Sequence, residues 1–446
     1  MTTAAPIDPD SDPENRTANA EPEPRLLAAP ADGVPEPITT AAELAEVLDR
    51  FAAGTGPVAL DAERASGYRY SQRAYLVQLR REGAGTVLID PISLPDLTSL
   101  NAVISPFEWV LHAANQDLPC LAELGLVPSR LFDTELAGRL LGVDRVALGT
   151  MVAEHLGIRL EKGHSAADWS VRPLPPDWLS YAALDVELLV QLRDILEGLL
   201  AAAGKLEWAR EEFENVRVTP PAPPREERWR RTSGIHAIRT RRGLAAVRAL
   251  WETRDELARA RDIAPGRILP DSAIVAAVRA NPRTGEELSK LAVFGGPRQR
   301  RNLGRWLDAL HRARELGNDE LPLMSTAAET VPPTSRWKDR EPEAAERLSR
   351  CRAVVDELAQ RHTILAQNVL ASDVLRRLAW QPPDQEPTPE SVAAALQASG
   401  ARPWQIALAA APLAAALAQA RAAASTASTA STASADDPTP PDPSTG

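Results

Sequence analysis

Three features of the chain predict an α/β fold, a mixed sheet with flanking helices, followed by two all-α helical domains. Short apolar or alternating runs come first: Val58 to Leu60, Tyr75 to Leu79, Thr86 to Ile89 and Trp109 to His112. Several are separated by turn residues such as Gly54, Gly56, Gly83 and Gly85, which is how successive strands read in a sequence. From about Leu118 to Phe213 helical spacing dominates, as expected when helices cover a sheet. Proline-bearing breaks then set off further helical stretches, and 446 residues are too many for one compact core.

The elements follow in order. Residues 1–37 are rich in Pro, Asp, Glu and Ala and lack the apolar content to bury, so a disordered tail is expected. Thr39 or Thr40 precedes Ala-Ala-Glu-Leu and can cap the first helix of a domain spanning 38–215. Pro220, Pro221, Pro223 and Pro224 stiffen a linker at 216–227. Residues 228–317 read as a helical domain in which Leu244, Val247, Leu250, Trp251 and Leu257 share one face. Within it, Asp271 and Thr284 are candidate N-caps, and Thr284 with Glu287 fits a capping box. A linker at 318–335 leads to a second helical domain at 336–424, with Leu348, Cys351, Val355 and Leu358 at helical spacing. The Ala-Ser-Thr repeats of 425–446 have nothing to bury and predict a disordered tail.

The net charge of −11 conceals a division by region. Residues 1–224 hold 18 basic and 34 acidic side chains, a net of −16; residues 225–318 hold 21 and 11, a net of +10; residues 319–446 hold 11 and 16, a net of −5. An acidic first region can bind cations while a basic island attracts phosphate. Cys120 and Cys351 lack metal-ligand or CxxC spacing and predict reduced thiols in a cytoplasmic protein. No basic n-region precedes an apolar stretch near the N-terminus, so no signal peptide is expected. The longest apolar run, Ile406 to Ala418, is mostly alanine and interrupted by Pro412, which predicts no membrane span.

The candidate chemistry lies in carboxylates. Asp61 and Glu63 end the apolar run Pro57-Val-Ala-Leu, and i, i+2 spacing on a strand puts both on one face, where they can share cations. Asp117 follows the strand-like Trp109 to His112 at a loop or helix start. Tyr181 and Asp185 stand four apart on a predicted helix and so face the same way. A DxE by itself is a common pattern of solvated acids. The order of the three pieces is what gives them weight.

In that order the chain resembles the DEDD superfamily of 3′→5′ exonucleases, in the tyrosine-bearing branch, and within it the ribonuclease D family. The resemblance extends through Tyr68 to Leu79 (YRYSQRAYLVQL), Phe132-Asp133-Thr134, Leu160 to Gly163, Asp168-Trp169-Ser170 and Arg172-Pro173-Leu174. It implies a ribonuclease H-like mixed sheet and a 3′→5′ exoribonuclease that trims RNA 3′ ends, tRNA precursors or other stable RNA being the family's typical substrates. DNA as substrate, or a non-catalytic RNA-binding adapter, are the alternatives. It further implies Asp61, Glu63, Asp117 and Asp185 as ligands of two divalent ions, Mg²⁺ or Mn²⁺, with Tyr181 orienting or helping to deprotonate the attacking water. Two such ions about 3.5–4 Å apart supply a hydroxide near neutral pH and stabilise the leaving 3′ oxygen. Ala62 and Arg64 depart from the Thr and aromatic that relatives usually carry beside the first acids.

Residues 228–317 resemble the helicase and RNase D C-terminal (HRDC) domain, and 336–424 a second, more divergent HRDC-like domain. In the first, Arg298, Arg300, Arg301 and Arg305 begin a basic helix able to grip phosphates. His112 is read as a structural histidine. Asp133 is balanced between capping a helix and supporting the metal shell, and Lys162, Trp169 and Arg172 lie in a loop for which the resemblance implies contact with substrate or shaping of the site, the other reading being a packed loop with surface charges. GxxxxGK[ST] does not occur, which argues against a nucleotide-driven helicase. A monomer is the expected state.

Overall fold

The structure, a computed structural model, describes residues 24–161, 163–164, 166–221, 223, 226–324, 331–383 and 386–433. Eight strands occur among them: β1 (Arg25–Leu27), β2 (Pro37–Ile38), β3 (Thr55–Arg64), β4 (Ala74–Glu82), β5 (Gly85–Ile89), β6 (Glu108–Leu111), β7 (Arg130–Asp133) and β8 (Ile158–Leu160). Six form a mixed sheet in the order β2-β5-β4-β3-β6-β7. The hairpin pairs β3/β4 and β4/β5 are antiparallel, and β2/β5, β3/β6 and β6/β7 are parallel. β1 and β8 form a separate parallel pair. The α/β reading of the sequence therefore holds.

β1, β2, β7 and β8 are too short to display a period, and β6, no longer than β7, was legible through its unbroken apolar run Trp109-Val110-Leu111. β1 and β2 also correct the expected extent of the N-terminal tail. The Asp32 carboxylate pairs with Arg80 at 3.0 Å, and the Ala31 amide donates to Glu187 at 3.3 Å, so residues 24–38 are fastened to the domain by partners distant in sequence. Residues 1–23 lie outside the described residues.

The first helix begins as predicted. Thr40 caps Ala41–Ala53, and Glu43 completes a capping box by reaching back to the Thr40 amide. This helix buries Leu44, Val47 and Phe51. β3 lies near the middle of the sheet, with Leu60 and Ala62 turned toward the large core and Ala65, just beyond it, toward a smaller one with Leu76, Leu88 and Trp169. The alternation follows from the two-residue period of a strand. It leaves the positions between Leu60, Ala62 and Arg64 facing the smaller core, beneath helix Pro176–Glu187.

The helical units join this domain in different ways. Residues 228–315 surround their own core of Leu244, Val247, Leu250, Ile274, Phe294 and Trp306. By contrast, Val331, Trp337, Leu348, Cys351, Val355 and Leu413 belong to one continuous core with the sheet domain. Trp208 stacks on Trp404 with centroids 4.7 Å apart, and Glu212 accepts from Arg402 (2.7 Å) and from the Trp404 indole (2.9 Å). The last helix, Pro403–Ala433, runs beyond the point where the sequence places the start of the tail, in keeping with the helix propensity of alanine. Its segment Pro403–Ser425 is long and apolar enough to cross a membrane by length and composition, contrary to the reading of its interrupted apolar run. Ala409, Leu413 and Leu417 nevertheless face the shared core. Residues 434–446 lie outside the described residues.

Glu212 tests this joint. Replacing it with Ala takes the acceptor from the Trp404 indole and from Arg402 Nε, while Arg402 Nη1 keeps the Gly400 carbonyl, and with Arg402 partly exposed the expected cost is about 2 kcal/mol. Urea unfolding of Glu212→Ala is expected to show that loss, and a change under about 0.5 kcal/mol would contradict it.

Candidate active site

β3 delivers Asp61 and Glu63 to the same face, and helix Pro176–Glu187 brings Asp185 over them. One oxygen from each of Asp61, Glu63 and Asp185 lies within 4.8 Å of the others. Tyr181 stands one turn before Asp185 and hydrogen-bonds to its carboxylate. The helix that carries both starts on Pro176 at its first turn, where the missing N–H costs nothing. Asp117 sits at the N-terminal end of helix Leu118–Glu123, following a short 3₁₀ turn at Ala114–Gln116. It lies outside the closest group of three and forms an ion pair with Arg64 at 3.3 Å. All five candidate residues thus converge, with Asp117 on the flank.

The carboxylates occupy a desolvated space. Burial raises Asp61 from its ordinary 3.8 to about 6, against the opposing pull of the Ala62 amide and Arg64. Burial also pushes Glu63 and Asp185 well above the usual range, and the neighbouring Asp61 charge adds to both. Asp117 is raised by the same two causes while Arg64 opposes them. Like charges this close are unfavourable without a compensating cation. Carboxylate oxygens are the donors that hard divalent ions prefer, so the residues present fit Mg²⁺ or Mn²⁺.

Two supports were not identified from the sequence. Gln78 on β4 is fully buried and donates to Asp61 Oδ2 at 2.9 Å, which fixes the carboxylate's orientation. A polar residue inside the apolar run YLVQL was the available signal, because a buried amide requires a partner. Arg64 is the other. Asp133 resolves to a capping role with wider effect: it accepts from the amides of Glu135 (2.9 Å) and Leu136 (3.2 Å), and also from those of Ala113 (3.1 Å) and Ala114 (2.8 Å). Those last two bonds hold Ala113 at φ +59°, a left-handed conformation costly for alanine, and so set the turn that leads to Asp117. His112 is structural. Its Nδ1 is 2.9 Å from Thr134 Oγ1, and burial lowers its pKa to about 4, keeping it neutral.

In the loop before Tyr181, Trp169 and Arg172 are packed. Trp169 is fully buried beside Trp178 at 5.4 Å, and Arg172 makes a two-pronged contact with Asp90 at 2.7 and 2.8 Å. Lys162 lies outside the described residues. A cavity of 280 Å³ opens beside Tyr181, bounded by His164, Asp177 and Ser180, with Ala28 of the N-terminal segment contributing to its wall.

The segment Tyr68 to Arg73 does not reach the carboxylates; it docks the basic helical domain. Asp262 Oδ1 accepts from the amides of Tyr70 (3.1 Å) and Ser71 (2.8 Å), the Tyr70 hydroxyl donates to Asp255 at 3.0 Å, and Arg267 lies over the Tyr68 ring at 3.9 Å. Between the two domains runs a cavity of 480 Å³ lined by Arg69, Arg261, Arg267, Arg298 and Arg301 with Tyr68. Of the four predicted phosphate-binding arginines, Arg298 and Arg301 line it. Arg300 donates instead to the Gly295 carbonyl at 2.9 Å, and Arg305 is exposed outside the lining.

Comparison with known proteins matches three segments of the chain to family profiles. Residues 35–201 match the family profile described as 3′-5′ exonuclease, 243–310 the HRDC domain, and 330–417 the 3′ to 5′ exonuclease C-terminal domain. The ribonuclease D of Acidiphilium cryptum (strain JF-5) is 31% identical over 317 residues, which cover 68% of this chain and 79% of that protein. That of Escherichia coli (strain K12) is 31% identical over 289 residues, covering 63% and 74%. Among solved structures, a protein from Bifidobacterium adolescentis superposes with a TM-score of 0.82 at 38% identity over 89% of this chain and 100% of its own. Escherichia coli RNase D, described as an exoribonuclease involved in structured RNA processing, gives 0.60 at 26% identity over 78% and 92%.

The electrostatics generate a pH dependence. Without metal, folded Asp61 keeps a proton between pH 3.8 and about 6 that the unfolded chain has released, so stability falls as pH rises through that window. Thermal unfolding in EDTA is expected to show that fall, Asp61→Asn to lessen it without abolishing it because Glu63, Asp117 and Asp185 are raised in the same direction, and Mg²⁺ to raise the midpoint more at about pH 7.5 than at about pH 5. Equal Mg²⁺ effects at both pH values would contradict the account.

Proposed function

We propose, from the premise that the chain belongs to the ribonuclease D family and is a 3′→5′ exoribonuclease, that it trims structured RNA, tRNA precursors among them, using Asp61, Glu63, Asp117 and Asp185 as ligands of two divalent metal ions. The observation that carries the reading is the meeting of Asp61, Glu63 and Asp185 within 4.8 Å, beside Tyr181 and flanked by Asp117. When bound, Mg²⁺ or Mn²⁺ would supply Lewis acidity and a hydroxide near neutral pH. The protein's own residues do the rest. Gln78 holds Asp61 in orientation, and Asp133 holds the turn before Asp117.

Burial and the charges of Asp185, Glu63 and Asp61 push the Tyr181 hydroxyl far above its ordinary range. It therefore stays protonated, and orienting the attacking water through a neutral hydroxyl fits it better than removing a proton. The arginine-lined cleft between the domains supports a path for the RNA backbone, with Arg298 and Arg301 as phosphate contacts and little preference for sequence.

The test incubates purified protein with 5′-labelled RNA and DNA of matched sequence in Mg²⁺, Mn²⁺ or EDTA. Metal-dependent shortening of RNA from the 3′ end is expected, with Asp61→Ala and Asp185→Ala inactive and Tyr181→Phe slowed about 10²-fold in kcat. No shortening of either polymer sinks the reading, and preference for DNA redirects it to a DNA exonuclease. For the cleft, Arg298→Ala with Arg301→Ala is expected to weaken RNA binding and reduce the slope of affinity against salt by about 2, whereas Arg300→Ala with Arg305→Ala has the smaller effect. Equal slopes in the two double variants would remove the cleft from the RNA path.

A further inference from the structure

Arg64 has no task in the reaction as described so far. It ends β3 directly after Glu63, and its Nη2 lies 3.3 Å from Asp117 Oδ1. Among the described residues it is the one basic side chain in ion-pair contact with any of the four carboxylates. Nothing else fastens it: the described hydrogen bonds include none from its guanidinium to another group, and a quarter of its side chain, 26%, faces solvent against 7% for Asp117. The Asp117 side chain in turn has no described partner besides Arg64.

This ion pair opposes the use of Asp117 as a metal ligand. A divalent cation at Asp117 would stand within a few ångströms of a guanidinium, and two positive charges that close in a desolvated pocket repel strongly. Asp117 holds metal more tightly once Arg64 has moved away. The released guanidinium remains tethered beside Glu63, at the edge of the site that handles RNA phosphate. A planar fork of donors is the side chain best matched to phosphate oxygens.

We propose that Arg64 is a substrate-positioning residue that alternates between Asp117 and a phosphate of the RNA 3′ end, so that metal and substrate phosphate bind with positive coupling. The inference rests on the functional reading above. In the empty site Arg64 competes with metal for Asp117. With a phosphate present, Arg64 has an alternative acceptor and the competition ends. Linkage then requires each ligand to tighten the other by the same factor.

The experiment titrates Mn²⁺ into the full-length protein by calorimetry, with and without adenosine 5′-monophosphate, a phosphate-bearing probe of the kind of product that 3′→5′ hydrolysis releases. In the unsubstituted protein the nucleotide is expected to tighten Mn²⁺ about tenfold. Arg64→Gln is expected to bind Mn²⁺ about fivefold more tightly without nucleotide, because the competitor is gone, and to lose most of the nucleotide's effect. Arg64→Lys, which keeps the charge and provides a second folded variant, is expected to retain the weak Mn²⁺ binding and lose part of the coupling. Unchanged Mn²⁺ affinity in Arg64→Gln, or unchanged coupling, overturns the role of Arg64 alone. Absence of Mn²⁺ binding in the unsubstituted protein overturns the metal-dependent reading as well.

Discussion

The constraint on which the structure turns is the crowding of carboxylates in a space with little water. Asp61, Glu63 and Asp185 share a volume under 5 Å across, and burial raises the pKa of each. A fold can hold such a group only if other interactions fix the elements that carry it, because the group itself repels. The central strand β3 is bonded on both sides, to β4 and β6, and helix Pro176–Glu187 is packed through Leu179, Ala182 and Ala183 against the sheet. The site is thus assembled by apolar packing and sheet pairing around it.

The same logic explains the polar supports. Gln78, Asp133 and Arg172 each make buried or partly buried hydrogen bonds to groups distant in sequence, and each fixes a segment that borders the carboxylates. Asp133 is the most consequential, since its oxygens serve a helix cap and a left-handed turn at once. Among the described residues, the four carboxylates have one ion pair, between Arg64 and Asp117. That distinction separates Asp117 from the other three acids and gives the proposed metal site an internal asymmetry.

The two helical units divide the remaining work. The C-terminal unit is fused to the sheet domain through a common core and the Trp208, Trp404 and Glu212 contacts, so its contribution includes stability of the catalytic body. The basic unit keeps its own core and touches the sheet domain through the short polar segment Tyr68 to Arg73. An acidic chain can thereby present an arginine-lined cleft to a polyanion, because its +10 island is placed against the domain that holds the carboxylates.

Sequence alone determined the α/β class, the DxE strand, the Tyr181 and Asp185 helix, a threonine cap at 39 or 40 and another at Thr284, and the basic character of the middle domain. These are local properties: a two-residue or 3.6-residue period, a hydroxyl before a helix, a charge count. Tertiary structure alone decided that β1 and β2 order part of the expected tail, that YRYSQR docks a domain, that only Arg298 and Arg301 of the four arginines line the cleft, and that Arg64 holds Asp117. Each of those depends on a partner tens to hundreds of residues away, as with Tyr70 and Asp255, and no local period encodes such a pairing. The acids were legible through the order of their motifs and the family resemblance it carries, whereas their electrostatic standing was not, because burial and neighbours exist only once the chain has folded.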